Sequence, residues 1–147
     1  MQTQPTFPVL HQVVLDTTDA RGLAEFYRRL LGLEYRAGDE PSPAGQPDAR
    51  GSDWLVLCDA AGAARLAFQH VAALPEATWP DGDHPQMLHL DLSVPDVATL
   101  DEQDRRALAL GARLLRDRRD DPEEPLRIYA DPAGHPFCIF VRVASTA

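Results

Sequence analysis

Apolar and polar positions change period several times along this chain, and each change predicts an element. Residues 9–15 form a short apolar run with β-branched members and read as a strand. Asp19 is placed to cap a helix in which Leu23, Phe26, Tyr27, Leu30 and Leu31 fall at helical spacing, and Gly32 ends it. Residues 33–36 read as a second strand, and residues 38–53, rich in Pro, Gly and Asp, as a long exposed loop. Residues 54–58 and 65–71 read as strands joined by a turn over 59–64. The predicted order is β-α-β-β-β.

The same order then recurs. Residues 87–94 read as a strand, and Asp96 caps a helix with Val97, Leu100, Ala107 and Leu108 on its apolar side. Gly111 ends that helix, and strands follow over 112–117, 126–130 and 136–143, with a charged loop at 118–125 and an Asp-Pro-Ala-Gly turn at 131–134. The recurrence extends to residue identity. Aligning Gln12 with His89 matches Leu15/Leu92, Asp19/Asp96, Leu23/Leu100, Glu25/Glu102, Arg28/Arg105, Arg29/Arg106 and Leu31/Leu108. That is seven identities in twenty ungapped positions, where composition alone gives roughly one or two. The chain therefore reads as a single domain over 1–147 made of two modules, 9–72 and 87–143, joined by a proline-containing linker at 73–86.

Successive strand residues point to opposite faces. In the first strand His11, Val13 and Leu15 share one face, and Gln12, Val14 and Asp16 share the other. In its repeat Leu88, Leu90 and Leu92 face one way, and His89, Asp91 and Ser93 the other. The more apolar sets are expected to pack on the helices. This gives His11 a structural role on the helix side and sends Gln12, Asp16, His89 and Asp91 into a shared cup.

Composition narrows the classes of partner. Fourteen basic against 23 acidic residues give a net charge of −9, which disfavours nucleic acid and anionic membranes, since both need a basic face. No apolar stretch approaches a membrane span, and the N-terminus shows no secretory pattern, so a cytoplasmic protein is expected. Cys58 and Cys138 lie in apolar strand-like runs and fit buried, reduced thiols. No nucleotide-binding glycine motif and no G-x-S-x-G motif is present.

Three segments carry a resemblance: DARGLAEFYRRLLG after the first strand, LHLDLSVPDV opening the second half, and YADPAGHPFCIFV near the end. Together with the repeat, they resemble the vicinal oxygen chelate superfamily, which includes glyoxalase I, bleomycin-resistance proteins, fosfomycin-resistance enzymes and extradiol dioxygenases. The likeness spans residues 9–143 and is closest in kind to the small glyoxalase-like proteins. It implies an α+β fold in which two paired βαβββ modules form a curved mixed sheet around a cup, and a homodimer. It also implies where metal-using members place their ligands. Carried over residue by residue, those positions fall on Gln12 and His89, on Cys138, and on Ala67, or Gln69 if the register shifts. Neither expected carboxylate is present. Glutamine and alanine cannot serve as the base that glyoxalase chemistry needs.

Two readings of function follow. The first is a binder without cofactor, similar to the bleomycin-resistance type, that holds a small apolar or aromatic molecule, neutral or cationic. Gln12, Asp16, Trp54, Gln69, Trp79, His89, Asp91 and Cys138 are its candidate ligand-binding residues. The second is an enzyme on the same scaffold, using either a divalent metal at Gln12 and His89 or a catalytic acid–base pair of His89 and Asp91. Several of these residues also have a plainer role open to them. Cys138, between Phe137 and Ile139, suits a packed small hydrophobe or a nucleophile. Trp54 suits core packing, and Trp79, set among turn residues, suits a lid. His135 reads as a turn residue, while His70 and His84 show no recognisable partner. Arg28, Arg29, Arg105 and Arg106 read as a solvated helix face.

Overall fold

The computed structural model describes residues 7–142. The order is β1 (Val13–Thr17), α1 (Ala20–Leu31), β2 (Glu34–Tyr35), β3 (Trp54–Cys58), β4 (Ala64–His70), β5 (Leu90–Val94), α2 (Val97–Ala109), β6 (Arg113–Arg118), β7 (Leu126–Ala130) and β8 (Pro136–Val141), with a single 3-10 turn at Arg50–Ser52. This is βαβββ twice. The eight strands divide into two four-stranded mixed sheets of identical topology, β1-β4-β3-β2 and β5-β8-β7-β6. In each, the first strand runs parallel to the last and the remaining pairs are antiparallel.

Both helices start at the predicted caps. The Asp19 carboxylate accepts from Gly22 N (2.9 Å) and the Asp96 carboxylate from Thr99 N (2.7 Å), each satisfying an otherwise orphaned N–H. Gly32 ends α1 at φ 66°, a left-handed conformation that suits a residue without Cβ. Leu23, Phe26, Tyr27 and Leu30 of α1 are buried as their spacing predicts. In α2 only Leu100 and Ala107 are buried, and Leu108, expected on the apolar side, is exposed.

Two strands start later than the apolar pattern suggests. Val13 pairs with Leu66, so residues 9 and 10 would need partners in the turn that precedes β4. Val9 and Leu10 are instead exposed and unpaired, and His11 is exposed rather than set against a helix. Likewise Leu90 pairs with Phe137, so Met87 and Leu88 precede the ladder and stand in solvent. Val143, expected in the last strand, lies outside the described residues.

One core serves both modules. Leu15, Phe26, Tyr27, Leu55, Leu57 and Phe68 of the first meet Val94, Leu100, Tyr129, Phe137 and Ile139 of the second. Tyr27 stacks on Phe68 (5.9 Å between centroids) and meets Phe137 edge-on (6.3 Å). Its hydroxyl donates to Asp131 Oδ2 in the second module (2.7 Å). Each fully buried side chain of this size contributes about 1.5–3 kcal/mol, so modules that share them are held together by the core as well as by the linker.

Candidate functional site

Because Leu92 and Val94 of β5 and Phe137 and Ile139 of β8 face the core, Asp91 and Cys138 take the opposite face. The register places them side by side, Asp91 opposite Cys138, and Cys138 opposite Ile128 of β7. His89 stands just before β5, with Nε2 3.6 Å from Asp91 Oδ1. The linker supplies the cover. Thr78 N–H donates to His84 O (2.7 Å) and His84 N–H to Thr78 Oγ1 (2.9 Å), which closes a small loop. That loop carries Trp79, whose ring lies 5.0 Å below the Arg116 guanidinium. The space enclosed is a cavity of about 270 Å³. Trp79, Gln86, His89, Asp91, Glu124 and Cys138 contribute its polar and aromatic groups, and Leu126, Ile128, Phe137 and Phe140 its apolar wall.

Trp79, His89, Asp91 and Cys138 are thus brought to one cavity. Four other candidates are not brought to this cavity. Gln12 precedes β1 as His89 precedes β5, but it does not line the cavity, and its Oε1 is buried without a hydrogen-bond partner. Trp54 and Gln69 face each other across β3 and β4, and Gln69 faces Asp16 across β4 and β1, so these three form a row on the first sheet. The register also settles the alternative between Ala67 and Gln69. Ala67 is opposite Val14 just as Cys138 is opposite Asp91, so Ala67 is the true counterpart of Cys138.

The electrostatics of the cavity are acidic. Burial, reinforced by the Asp91 and Glu124 charges, pushes the Cys138 thiol up to about 12. The thiol is therefore neutral near pH 7 and a poor nucleophile. Among the described residues no three His, Cys, Asp or Glu side chains converge where they could hold a metal ion. The residues present do not fit the metal centre that metal-using relatives imply.

A second, larger cavity of about 490 Å³ lies between β1, the linker and the turn before β8. Asp16 lines it, together with His84 and His135. His135 donates through Nε2 to the Asp16 carbonyl oxygen (2.6 Å) at the edge of β1. Glu124 and Gln86 are not among the sequence-derived candidates, and His135 and His84 are read there only as a turn residue and as a residue without a recognisable partner. For Glu124 a signal existed, since Ile128, Leu126 and Glu124 continue the period of two that marks the cavity face of β7.

Two βαβββ modules of identical strand order, with the chemistry on the face away from the helices, define a protein of the vicinal oxygen chelate fold. More particularly, the model of the glyoxalase-like domain matches residues 12–140, and the chain belongs to that family. Solved structures agree on the fold. A glyoxalase/bleomycin resistance protein/dioxygenase family enzyme from Burkholderia phytofirmans PsJN superposes with a TM-score of 0.63 at 17% identity, covering 90% of this chain and 98% of that one. A fosfomycin resistance protein from Listeria monocytogenes, complexed with Mn(II) and sulfate, gives 0.63 at 16% identity, covering 95% and 96%. A lactoylglutathione lyase from Agrobacterium tumefaciens gives 0.55 at 20% identity, covering 90% and 92%. No curated protein matches the chain. Among the described residues no helix is long and apolar enough to cross a membrane.

Proposed function

We propose that the chain binds a small organic molecule in the cavity beneath Trp79 and holds it without a resident metal, in the manner of the bleomycin-resistance type of this fold. The observation that carries this reading is the convergence of Trp79, His89, Asp91 and Cys138 on one space in which no triad of metal donors forms among the described residues. At about 270 Å³, the space falls just below the range of about 300–1,000 Å³ typical of drug-sized ligands. The occupant is therefore small, with an apolar body against Ile128 and Phe140 and a polar end toward His89 and Asp91. A thermal-shift screen of the full chain, followed by native mass spectrometry, tests this. The expected result is a stabilising compound whose effect is lost in Trp79→Ala and Asp91→Asn. A hit that neither variant weakens, or no hit at all, refutes it.

A second reading has its own support. His89 and Asp91 sit 3.6 Å apart at the mouth of the cavity with side chains 46% and 62% exposed, and two neighbours of this fold are named as a family enzyme and a lactoylglutathione lyase. On this reading His89 moves a proton on the bound molecule while Asp91 orients the imidazole. Turnover that disappears in His89→Ala while ligand affinity survives would favour the enzyme over the binder. We also place the protein in a reducing cytoplasm as a homodimer. Both cysteines are free, and Phe7, Val9, Leu10 and Met87 present exposed apolar surface that a second copy would cover. Light scattering at micromolar concentration checks the dimer.

A further inference from the structure

The larger cavity is not needed for the function proposed above, and its chemistry differs. We propose that the space between β1, the linker and the turn before β8 is a second ligand site, one that takes an organic cation with an apolar body.

Its volume of about 490 Å³ lies within the range of small-molecule sites, about 300–1,000 Å³. Val14, Leu74, Pro85, Leu88 and Pro136 give it apolar walls. The walls are anchored before any ligand arrives. His135 is tied to the Asp16 carbonyl oxygen (2.6 Å), and the Thr78–His84 pair closes the linker loop. Gly134, at φ 94°, lies so close to Glu76 that a Cβ there would meet its Cγ at 2.6 Å. A fixed site of this kind binds without the entropic cost of ordering its own walls.

The charge in the cavity decides the class of ligand. Asp16 and Asp83 line it, and among the described residues neither carboxylate makes an ion pair. Several carboxylates elsewhere are neutralised locally. Asp39, Asp48, Asp59, Asp101 and Glu25 are each held by arginine. The chain contains no lysine, all 14 of its basic residues being arginine, and no arginine lines this cavity. The two carboxylates are left to a cation from outside. The remaining polar side chains, His84, His135 and Gln86, can accept a hydrogen bond from an ammonium when the imidazoles are neutral.

The site also touches the first one. Asp83 and His84 face this cavity and Trp79 faces the other, on opposite sides of the same hydrogen-bonded loop, while Gln86 lines both. A cation held at Asp83 fixes the loop that carries the Trp79 cover.

The test uses the full chain, ¹⁵N-labelled, near pH 8, where an ordinary imidazole is neutral. Phenethylammonium and benzyltrimethylammonium are the probes, with 2-phenylethanol as the neutral counterpart. The proposal expects saturable amide shifts at Val14, Asp16 and Leu88, and affinity about tenfold weaker for the alcohol. It expects a similar loss in the Asp16→Asn/Asp83→Asn double variant, whose side chains are exposed and bonded to nothing in the fold. Asp91→Asn, which strikes only the first cavity, should leave this binding unchanged. Shifts confined to Asp91, Ile128 and Cys138, equal binding of the alcohol, full affinity in the double variant, or no saturable shift with either cation would each overturn it.

Discussion

Replacing Tyr27 by Phe removes one oxygen from the joint between the two modules and leaves the ring in place. The lost contact is the hydrogen bond from Tyr27 to Asp131 Oδ2 (2.7 Å), which is buried and spans 104 residues of chain. A hydrogen bond to a charged group contributes about 1.5–3 kcal/mol. Asp131 keeps two further donors, Ala133 N (2.8 Å) and His135 N (3.0 Å), so its carboxylate is not orphaned. The expected loss is therefore at the lower end, about 1.5–2 kcal/mol, read as a fall in the urea midpoint at unchanged m. The pH dependence sharpens the test. Burial raises the Asp131 carboxyl above its ordinary value, while the Tyr27 hydrogen bond opposes the shift. A carboxyl raised in the folded state costs nothing below its unfolded pKa of about 3.9, where both states are protonated. The cost appears as pH rises through the folded value. Without Tyr27 that value rises further, so the gap between wild type and variant should widen from pH 4 to pH 7. A loss under about 0.5 kcal/mol, or a gap that is flat or narrows with pH, would show that the tyrosine does not lock the modules.

Three further outcomes are expected. With its thiol pushed up to about 12 by burial, Asp91 and Glu124, Cys138 should alkylate with iodoacetamide at pH 8 about three orders of magnitude more slowly than a free thiol, and Asp91→Asn should speed it; rapid labelling by peptide mapping would contradict the site's electrostatics. Asp96→Ala, which deletes the cap on Thr99 N, should lower the midpoint of thermal unfolding. Hydrogen bonding to Arg119, followed by Arg127, holds the Asp101 carboxyl down to about 2; stability drawn from it is present above the unfolded pKa and lost as pH falls toward 2, so Asp101→Asn should show a shallower acid limb than wild type by circular dichroism.

The sequence repeat made both modules, both helix caps and the outward faces of β1 and β5 legible, because those depend on local period and on residues near in the chain. What depends on pairing did not follow. That Ala67 rather than Gln69 matches Cys138 is a fact about which residue lies opposite Val14, and no spacing rule contains it. The two cavities depend on the linker, whose path is set by the Thr78–His84 hydrogen bonds and by the Arg113–Glu76 contact. Prolines announce such a segment as irregular without saying which walls it will form. Hence Trp79 was recognisable as a cover, whereas His84 and Gln86, a few residues on, were not recognisable as lining.

The pairing also shows why the two modules cannot be chemically equivalent. At matching register positions the first sheet presents Val14, Ala67 and Val56 across three strands, and the second presents Asp91, Cys138 and Ile128. The first row is wholly apolar, with Ala67 and Val56 buried. The second places a carboxylate beside a thiol at a cavity wall. A ligand that needs a charged partner can therefore find it in only one of the two rows, although the backbone repeats. Neither row retains the acid in the last strand on which a metal-based mechanism of this fold relies. If that acid were the sole missing element, Cys138→Glu would be expected to create metal affinity beside His89. The new carboxylate would, however, sit next to Asp91 and near Glu124, with the first module's Gln12 directed elsewhere. Among the described residues His89, Asp91, Cys138 and Glu124 do not converge as a metal-holding group, so one carboxylate in place of the thiol closes no coordination sphere. We therefore expect Cys138→Glu to lose stability, and calorimetry with Zn²⁺ or Mn²⁺ to find no stoichiometric site. Tight 1:1 binding would show instead that the two modules still share a cup.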